Sequence, residues 1–424
     1  MRTAKLKDIT LTITDGKHGD CKNHDGSGYY FISCKDVYDE TIHYENARQI
    51  AEDDFRDADR RTNLAAYDIL ITNSGTIGRM ALVKDIPETR KTTFQKSVAI
   101  VRADTSQVVP NYLYYLLKSK VHDFINSSNG SAQKNLLLST MRDFDISFVD
   151  SFETQHRIAT ILSRYDSLIE NYQKQIKLLG EAAQRLYKEW FIDLHFPGHE
   201  NTNIIDGVPE GWEKKKVNSI IELQSGFAFK SSTFDDNGAY KIVTIKNVKD
   251  GAFDGDNVSR IVAIPEKMPK HCVLADGDIL LSLTGNVGRV CIVNGKNYLL
   301  NQRVAKLATD FKAFTYCLFR SREMFIEINN LANGAAQQNV SPIRIGEMKI
   351  LLPNNKLLQV FESIVFKSIA RIISLQSQLR LLTEARDRLL PKLMSGELTL
   401  EARAEKEDLL ATPCKRGWEE DEAK

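Results

Sequence analysis

The phrase Asp68-Ile-Leu-Ile-Thr-Asn-Ser-Gly-Thr-Ile-Gly-Arg79 is written again, with few changes, as Asp278-Ile-Leu-Leu-Ser-Leu-Thr-Gly-Asn-Val-Gly-Arg289. The copies stand 210 residues apart in a chain of 424. Periods of about 20–50 residues mean stacked solenoid repeats, whereas a period this long means a duplicated domain. Other blocks recur in the same order. Phe31-Ile-Ser-Cys-Lys-Asp-Val37 matches Ile242-Val-Thr-Ile-Lys-Asn-Val248, and Gln95-Lys96 is echoed by Gln302-Arg303. Asn129-Gly-Ser-Ala-Gln-Lys-Asn135 matches Asn333-Gly-Ala-Ala-Gln-Gln-Asn339. The offset drifts from 211 to 204 residues, as insertions between fixed blocks would make it. Whatever one half folds into, the other must resemble. Two like domains on one chain suit a target with two parts.

The length allows two or three domains, each with its own core. Hydrophobic residues at 42% and charged residues at 27% are ordinary for a water-soluble globular chain. No apolar run approaches the ~20 residues that span a bilayer, and Met1-Arg-Thr-Ala-Lys-Leu-Lys-Asp8 has no signal-peptide core, so a cytoplasmic protein is expected. The six cysteines are scattered without a C-x-x-C pair, which points to reduced thiols rather than a disulfide or zinc framework. A net charge of +1 gives no whole-chain argument for nucleic acid. A DNA-binding reading must rest on local clusters of basic and amide groups.

Residues 1–150 mix short β-rich runs with turns: Tyr29-Tyr-Phe-Ile-Ser33, Ile69-Leu-Ile-Thr72 and Ser97-Val-Ala-Ile-Val101 are bounded by Gly, Asp and Asn. A helix is expected from Val109, with Pro110 set early. Residues 199–353 repeat the plan, with Lys241-Ile-Val-Thr-Ile245 and Asp278-Ile-Leu-Leu-Ser282 as strands. Strands dominate and helices are peripheral, so each half is α+β.

Two helical segments, 151–198 and 354–398, follow the halves with strict spacing. In the first, Ile158, Tyr165, Tyr172, Leu179 and Leu186 fall seven apart, and Leu162, Ile169, Ile176, Ala183 and Trp190 form a second row. In the second, Phe361, Leu375, Leu382 and Leu389 keep the rhythm across Ser368, and Leu358, Val365, Ile372, Leu379 and Leu393 keep it across Arg386. Interleaved heptads sustained this long are the signature of a coiled coil. Ile158 to Trp190 spans ~50 Å at 1.5 Å per residue, longer than one such domain is wide, so the helices are expected to project and pair. The alternative is two ordinary amphipathic helices, each lying on its own domain. Gly180 costs roughly 1 kcal/mol against Ala, and reads as a close approach of helices or as a tolerated defect. Pro391 is expected to end or kink the second helix before Ser395-Gly396 closes it. Residues 399–424 read as a charged, flexible tail.

Chemistry of catalysis is hard to find. There is no G-x-x-x-x-G-K-[S/T] or G-x-G-x-x-G loop, and no Pro-Pro pair for the tetrapeptide of an adenine methyltransferase. His195 and His199 are separated by Pro197 and Gly198, which break the helix that would align them on a metal. No Ser/His/Asp set stands out. The chain is expected to be non-catalytic, with no metal and no cofactor of its own.

What remains is recognition. In each half a strand ends in Gly-x-x-Gly-Arg, giving Ser74, Gly75, Thr76, Gly78 and Arg79 with their counterparts Thr284, Gly285, Asn286, Gly288 and Arg289. Glycines let a backbone approach a phosphate, and arginine can grip phosphate or guanine with two hydrogen bonds. A tight hairpin with a surface arginine is the plain alternative. The amide-rich segments supply Asn129, Gln133 and Lys134, then Asn333, Gln337 and Gln338; Asn and Gln suit the adenine edge, and equally a helix-capping turn. Gln95 and Lys96, with Gln302 and Arg303, add a donor-rich pair before a strand.

With these residues assembled, the chain resembles the specificity subunit of type I restriction–modification systems, from Lys5 to about Leu398. Arg185-Leu-Tyr-Lys-Glu-Trp-Phe-Ile-Asp-Leu-His-Phe-Pro-Gly198 is similar to that family's exit from its first helix, and Ile205-Asp-Gly-Val-Pro-Glu-Gly-Trp212 to its entry into the second domain. The resemblance implies an α+β protein: two similar α/β target-recognition domains separated and joined by two long antiparallel coiled-coil helices. It further implies that each domain binds one half of an asymmetric, bipartite double-stranded DNA site. The helices would set the gap and dock two modification subunits along Ile158, Leu162, Tyr165, Ile169, Tyr172, Ile176 and Leu179, with Leu358, Phe361, Val365, Ile372, Leu375, Leu379 and Leu382. Those partners bring S-adenosylmethionine, and restriction subunits add ATP and Mg2+. Two other readings stay open: a stand-alone DNA methyltransferase, and a coiled-coil scaffold that binds proteins.

Overall fold

Ile69–Thr72 and Ile279–Ser282 are buried at every residue, which is why both read as unbroken apolar runs rather than as an alternation. Each is an inner strand of a four-stranded antiparallel sheet. A computed structural model describes residues 1–127, 135–256, 258–332 and 338–398. It divides the chain into two units, one of Met1–Asp166 with the residues from Glu384 onward, the other of Ser167–Thr383. The expected tail, 399–424, lies outside the described residues.

In the first unit the sheet runs Thr10–Asp15, Val98–Ala103, Ile69–Thr72, Met80–Leu82. Tyr30–Ile32 pairs in parallel with Thr92–Phe94, and the hairpin strands Val37–Tyr38 and Thr41–Ile42 pair with each other. Helices α1 (Glu52–Thr62), α2 (Pro110–Ser119), α3 (Val121–Asn126) and α4 (Leu138–Arg142) surround these strands. Pro110 occupies the first turn of α2, where its missing N–H costs nothing. The chain then enters the long helix α5 (Phe152–Tyr187).

The second unit repeats the sheet as Glu222–Ser225, Val304–Ala308, Ile279–Ser282, Val290–Ile292. Tyr240–Val243 pairs in parallel with Tyr298–Leu300, as its counterpart does in the first unit. Helices α6 (Lys312–Phe319), α7 (Arg322–Ala332) and α8 (Pro342–Gly346) follow, and then the long helix α9 (Asn355–Ser395).

Every residue of the two expected heptad rows is buried or half-buried. In the first unit Ile158 and Leu162, early in α5, share a cluster with Leu390, Leu393 and Met394, late in α9. In the second, Ala183 and Tyr187, late in α5, share one with Leu358, Phe361 and Val365, early in α9. Early residues of one helix meet late residues of the other in each unit, the order of an antiparallel pair. Two local expectations need correcting. Helix α9 does not end at the exposed Pro391 but runs on to Ser395, and Gly396, with a left-handed φ of 76°, closes it as expected. Gly180 marks no tight approach: a Cβ there would find nothing nearer than Arg320 Nη1 at 4.0 Å.

Candidate nucleic-acid interface

The two Gly-x-x-Gly-Arg turns are wired alike. Thr72 N–H donates to Arg79 O at 2.9 Å and Gly78 N–H to Thr72 O at 2.9 Å; Ser282 N–H donates to Arg289 O at 2.9 Å and Gly288 N–H to Ser282 O at 3.0 Å. All four glycines have positive φ, between 72° and 86°. A Cβ on Gly78 would come within 2.9 Å of Val121 in α3, and one on Gly288 within 3.1 Å of Phe325 in α7. The second glycine of each turn therefore lets a helix press against it, so its job is packing. Gly75 and Gly285 press on Cys34 Sγ and Ile245 Cδ1, at 3.1 and 3.3 Å from a built Cβ.

Other blocks of the repeat gather at these turns. Asn73 N–H donates to Ser97 O at 3.1 Å, and Leu283 N–H to Arg303 O at 3.0 Å, which brings the Gln95-Lys96 and Gln302-Arg303 loops alongside. Asn135 bridges to Ser74 and Asn339 to Thr284, and Gly285 N–H donates to Gln338 O at 3.0 Å. The described ends of both amide-rich segments thus lie against the turns. Asn129, Gln133, Lys134, Asn333 and Gln337 lie outside the described residues.

Exposure separates the candidates. Thr76, Arg79, Lys96, Asn286, Gln302, Arg303 and Gln338 are exposed, as is Gly75; Ser74, Gln95, Gly285 and Arg289 are half-buried; Gly78, Gly288 and Thr284 are buried. Thr284 donates its hydroxyl to Asn339 Oδ1 at 2.9 Å, so it is committed within the protein.

The structure adds Lys35 and Lys246, both exposed. Each directly follows the residue that touches the first glycine of its turn, Cys34 or Ile245. Each is held by a matching motif: Asp36 accepts from Ser33 N and Oγ at 2.7 and 2.9 Å, and Asn247 accepts from Thr244 N and Oγ1 at 2.8 and 2.9 Å. The repeated Phe31–Val37 and Ile242–Val248 blocks carried both lysines, but only the loop geometry sets them beside the turns.

Each unit therefore presents three cations on neighbouring loops: Lys35, Arg79 and Lys96 in the first, Lys246, Arg289 and Arg303 in the second. Among the described residues none of these side chains has an ion-pair or hydrogen-bond partner. Some basic groups elsewhere in the first unit are spent internally, such as Lys17 on Asp57 at 2.8 Å and Arg61 on Asp15 at 2.8 Å. Beneath the turns, Asp68 accepts from Ala65 N at 2.8 Å and binds Arg102 at 2.6 Å, while Asp278 accepts from Ala275 N at 2.8 Å and binds Lys306 at 2.8 Å. The two aspartates that open the repeated phrase are thus internal fasteners of the loop before the strand.

Other chemistry is sparse. Among the described residues no group of three or more His, Cys, Asp or Glu could hold a metal ion. His195 is exposed, and His199 Nδ1 lies 2.9 Å from Phe196 O. Burial pushes the thiols of Cys272 and Cys291 up and that of Cys317 up to about 12, which leaves all three poor nucleophiles. Among the described residues no helix is long and apolar enough to cross a membrane.

The family model described as type I restriction modification DNA specificity domain matches residues 3–179 and again 209–380. A type I restriction enzyme specificity subunit of Methanocaldococcus jannaschii, MjaIX, is 32% identical over 348 residues, 78% of each chain. A second from that organism, MjaVIII, is 30% identical over 259 residues, 57% of this chain and 59% of the relative. Among solved structures, the crystal structure of a type I restriction–modification S subunit from M. genitalium superposes with a TM-score of 0.60 at 17% identity, covering 93% of this chain and 96% of the other. At that identity the likeness speaks for the fold.

Proposed function

The chain belongs to the type I restriction–modification DNA specificity family, and from that premise we propose that each of its units reads one half of a two-part duplex DNA site. The observation that carries this reading is the trio of uncommitted cations beside each turn. Phosphate contacts fix register and orientation, and base edges supply the sequence information. Arg79 and Arg289, the same residue in both copies, suit the backbone role. Exposed positions that differ, Thr76 against Asn286 and Lys96 against Arg303, suit the reading role. A net charge of +1 is compatible with this, because three cations beside each turn have no partner among the described residues.

The rest of the function is division of labour. The chain selects the sequence and carries out no chemistry. Helices α5 and α9 set the gap between half-sites and dock two modification subunits, which bring S-adenosylmethionine; restriction subunits that use ATP and Mg2+ complete the complex. Replacement of residues 1–150 by the same region of a relative tests the modular claim. Methylated adenines, mapped by single-molecule sequencing of genomic DNA, should change in one half of the site only. A change in both halves would end the reading.

A further inference from the structure

Both turns are closed from inside by one buried hydroxyl. Thr72 Oγ1 donates to Thr76 O and accepts from Arg79 N–H at 2.9 Å. Ser282 Oγ donates to Asn286 O and accepts from Arg289 N–H at 3.0 Å. The side chain is wholly buried in each case, yet the groups it ties belong to the loop, where Thr76, Asn286 and Arg79 are exposed and Arg289 half-buried.

Chemistry restricts what can fill this position. The group must accept from one backbone N–H and donate to one backbone carbonyl at once, on a short stem, which is what a hydroxyl does. The copies differ by a methyl group and share the hydroxyl, so the hydroxyl is the common requirement. Serine is a poor choice for the last residue of a buried strand on other grounds, since it packs little surface and a lone buried hydroxyl costs free energy. The two hydrogen bonds offset that cost; one holds the backbone N–H of the arginine and the other the carbonyl of the turn residue three before it. We infer that Thr72 and Ser282 are positioning residues that hold Arg79 and Arg289 in the orientation that meets DNA. This rests on the reading of the two arginines as DNA contacts.

A double-mutant cycle tests it, with the full-length chain assembled with its modification subunits and a duplex bearing the site mapped from genomic DNA. Thr72→Val keeps the shape and deletes the hydroxyl; Ser282→Ala does the same in the second copy. Each should weaken binding by about three- to tenfold, the size of one or two lost net hydrogen bonds. In an Arg79→Ala or Arg289→Ala background the same change should add nothing, because the residue acts through the arginine. Thr72→Ser and Ser282→Thr should retain full binding. If Arg79→Ala weakens binding while Thr72→Val does not, the positioning role is wrong and the DNA contact stands. Equal losses from Thr72→Val with and without Arg79 would also overturn the role, by making the hydroxyl a matter of folding. Full binding by Arg79→Ala and Arg289→Ala would instead sink the reading beneath it.

Discussion

The two units share a framework, and at three of the matched positions where they differ the first unit carries the more demanding residue. On the helix seam, Ala183 stands seven residues before the buried Trp190, and Arg386 seven before the buried Leu393. Beside the turn, the second unit has the buried Leu283 where the first has the buried Asn73. Before the repeated aspartate, Gly277 takes φ +82°, and its counterpart Tyr67 takes φ +69°. A relaxed version of each site is thus present in the same chain. Duplication preserved the backbone wiring; the attachments around it were free to change.

Arg386 should give the largest effect. It is buried, and its guanidinium reaches Asp166 of α5 at 2.7 Å and Glu40 of the Val37–Ile42 hairpin at 2.8 Å. Burial opposes its charge, and Asp166 and Glu40 outweigh that opposition, so it holds its proton more tightly than a free arginine. Glu40 is also paired with Lys118 of α2 at 2.6 Å. In the second unit the tip of the matching hairpin is held by Arg320 to Asp250 at 2.9 Å and by Gly251 N–H to Val290 O at 2.8 Å, with no buried arginine from the long helix among the described residues. Arg386→Ala, which installs the residue of the other copy, should lower stability by about 2–4 kcal/mol, because two half-buried carboxylates lose their shared cation. Hydrogen exchange should quicken at residues 37–42 and in α2. Unchanged exchange there would mean that the ion cluster does not fasten the hairpin, and the contrast with the second unit would collapse.

The same cluster marks where sequence reading stopped. The starts of α5 and α9, the strand Ile69–Thr72 and the pairing of heptads were legible because each follows a local period; the run of α9 past Pro391 was not, because Pro391 read as a stop or a kink. Arg386 looked like an interruption of the heptad. Its partners Glu40 and Asp166 lie 346 and 220 residues away, with no pattern to connect them. Thr72 and Ser282 were equally opaque: they stood inside the quoted repeat as ordinary strand residues, and only the closed turn gives their hydroxyls a task. The glycines misled in the opposite direction, since Gly78 and Gly288 suggested room for a ligand and in fact admit a helix.

Asn73 offers the middle effect. Among the described residues its buried side-chain oxygen has no hydrogen-bond partner, while its backbone is engaged with Ser97 and Leu136. Leu283 makes the same backbone bonds, to Arg303 and Val340, with no polar side chain to satisfy. Asn73→Leu should therefore raise stability by about 1 kcal/mol, through removal of an orphaned acceptor. A denaturant midpoint that falls instead would show that the amide has a role which the apolar residue of the second copy does not replace. A rise accompanied by weaker DNA binding would place Asn73 among residues kept for recognition at the expense of stability.

Tyr67 tests the comparison most finely. A positive φ costs an ordinary side chain about 1–2 kcal/mol, and Gly277 shows that the position accepts glycine. The backbone bond is the same in both copies, Tyr67 N–H to Val83 O at 2.8 Å and Gly277 N–H to Val293 O at 2.9 Å. Tyr67 is 54% exposed, so its ring recovers little by burial. Against the relief stands the greater freedom of glycine in the unfolded chain, worth about 0.5–1 kcal/mol, so Tyr67→Gly should stabilise by about 0.5 kcal/mol. The ring does border a pocket of about 270 Å³ with Pro110 and Asn111 of α2 and His156 and Thr160 of α5. If Tyr67→Gly lowers the unfolding midpoint, contacts in that pocket outweigh the strain, and the tyrosine belongs to the packing of α5 on the first unit. If it raises the midpoint, the strain is real and uncompensated within the chain, as expected for a residue held in a conformation that its neighbours impose.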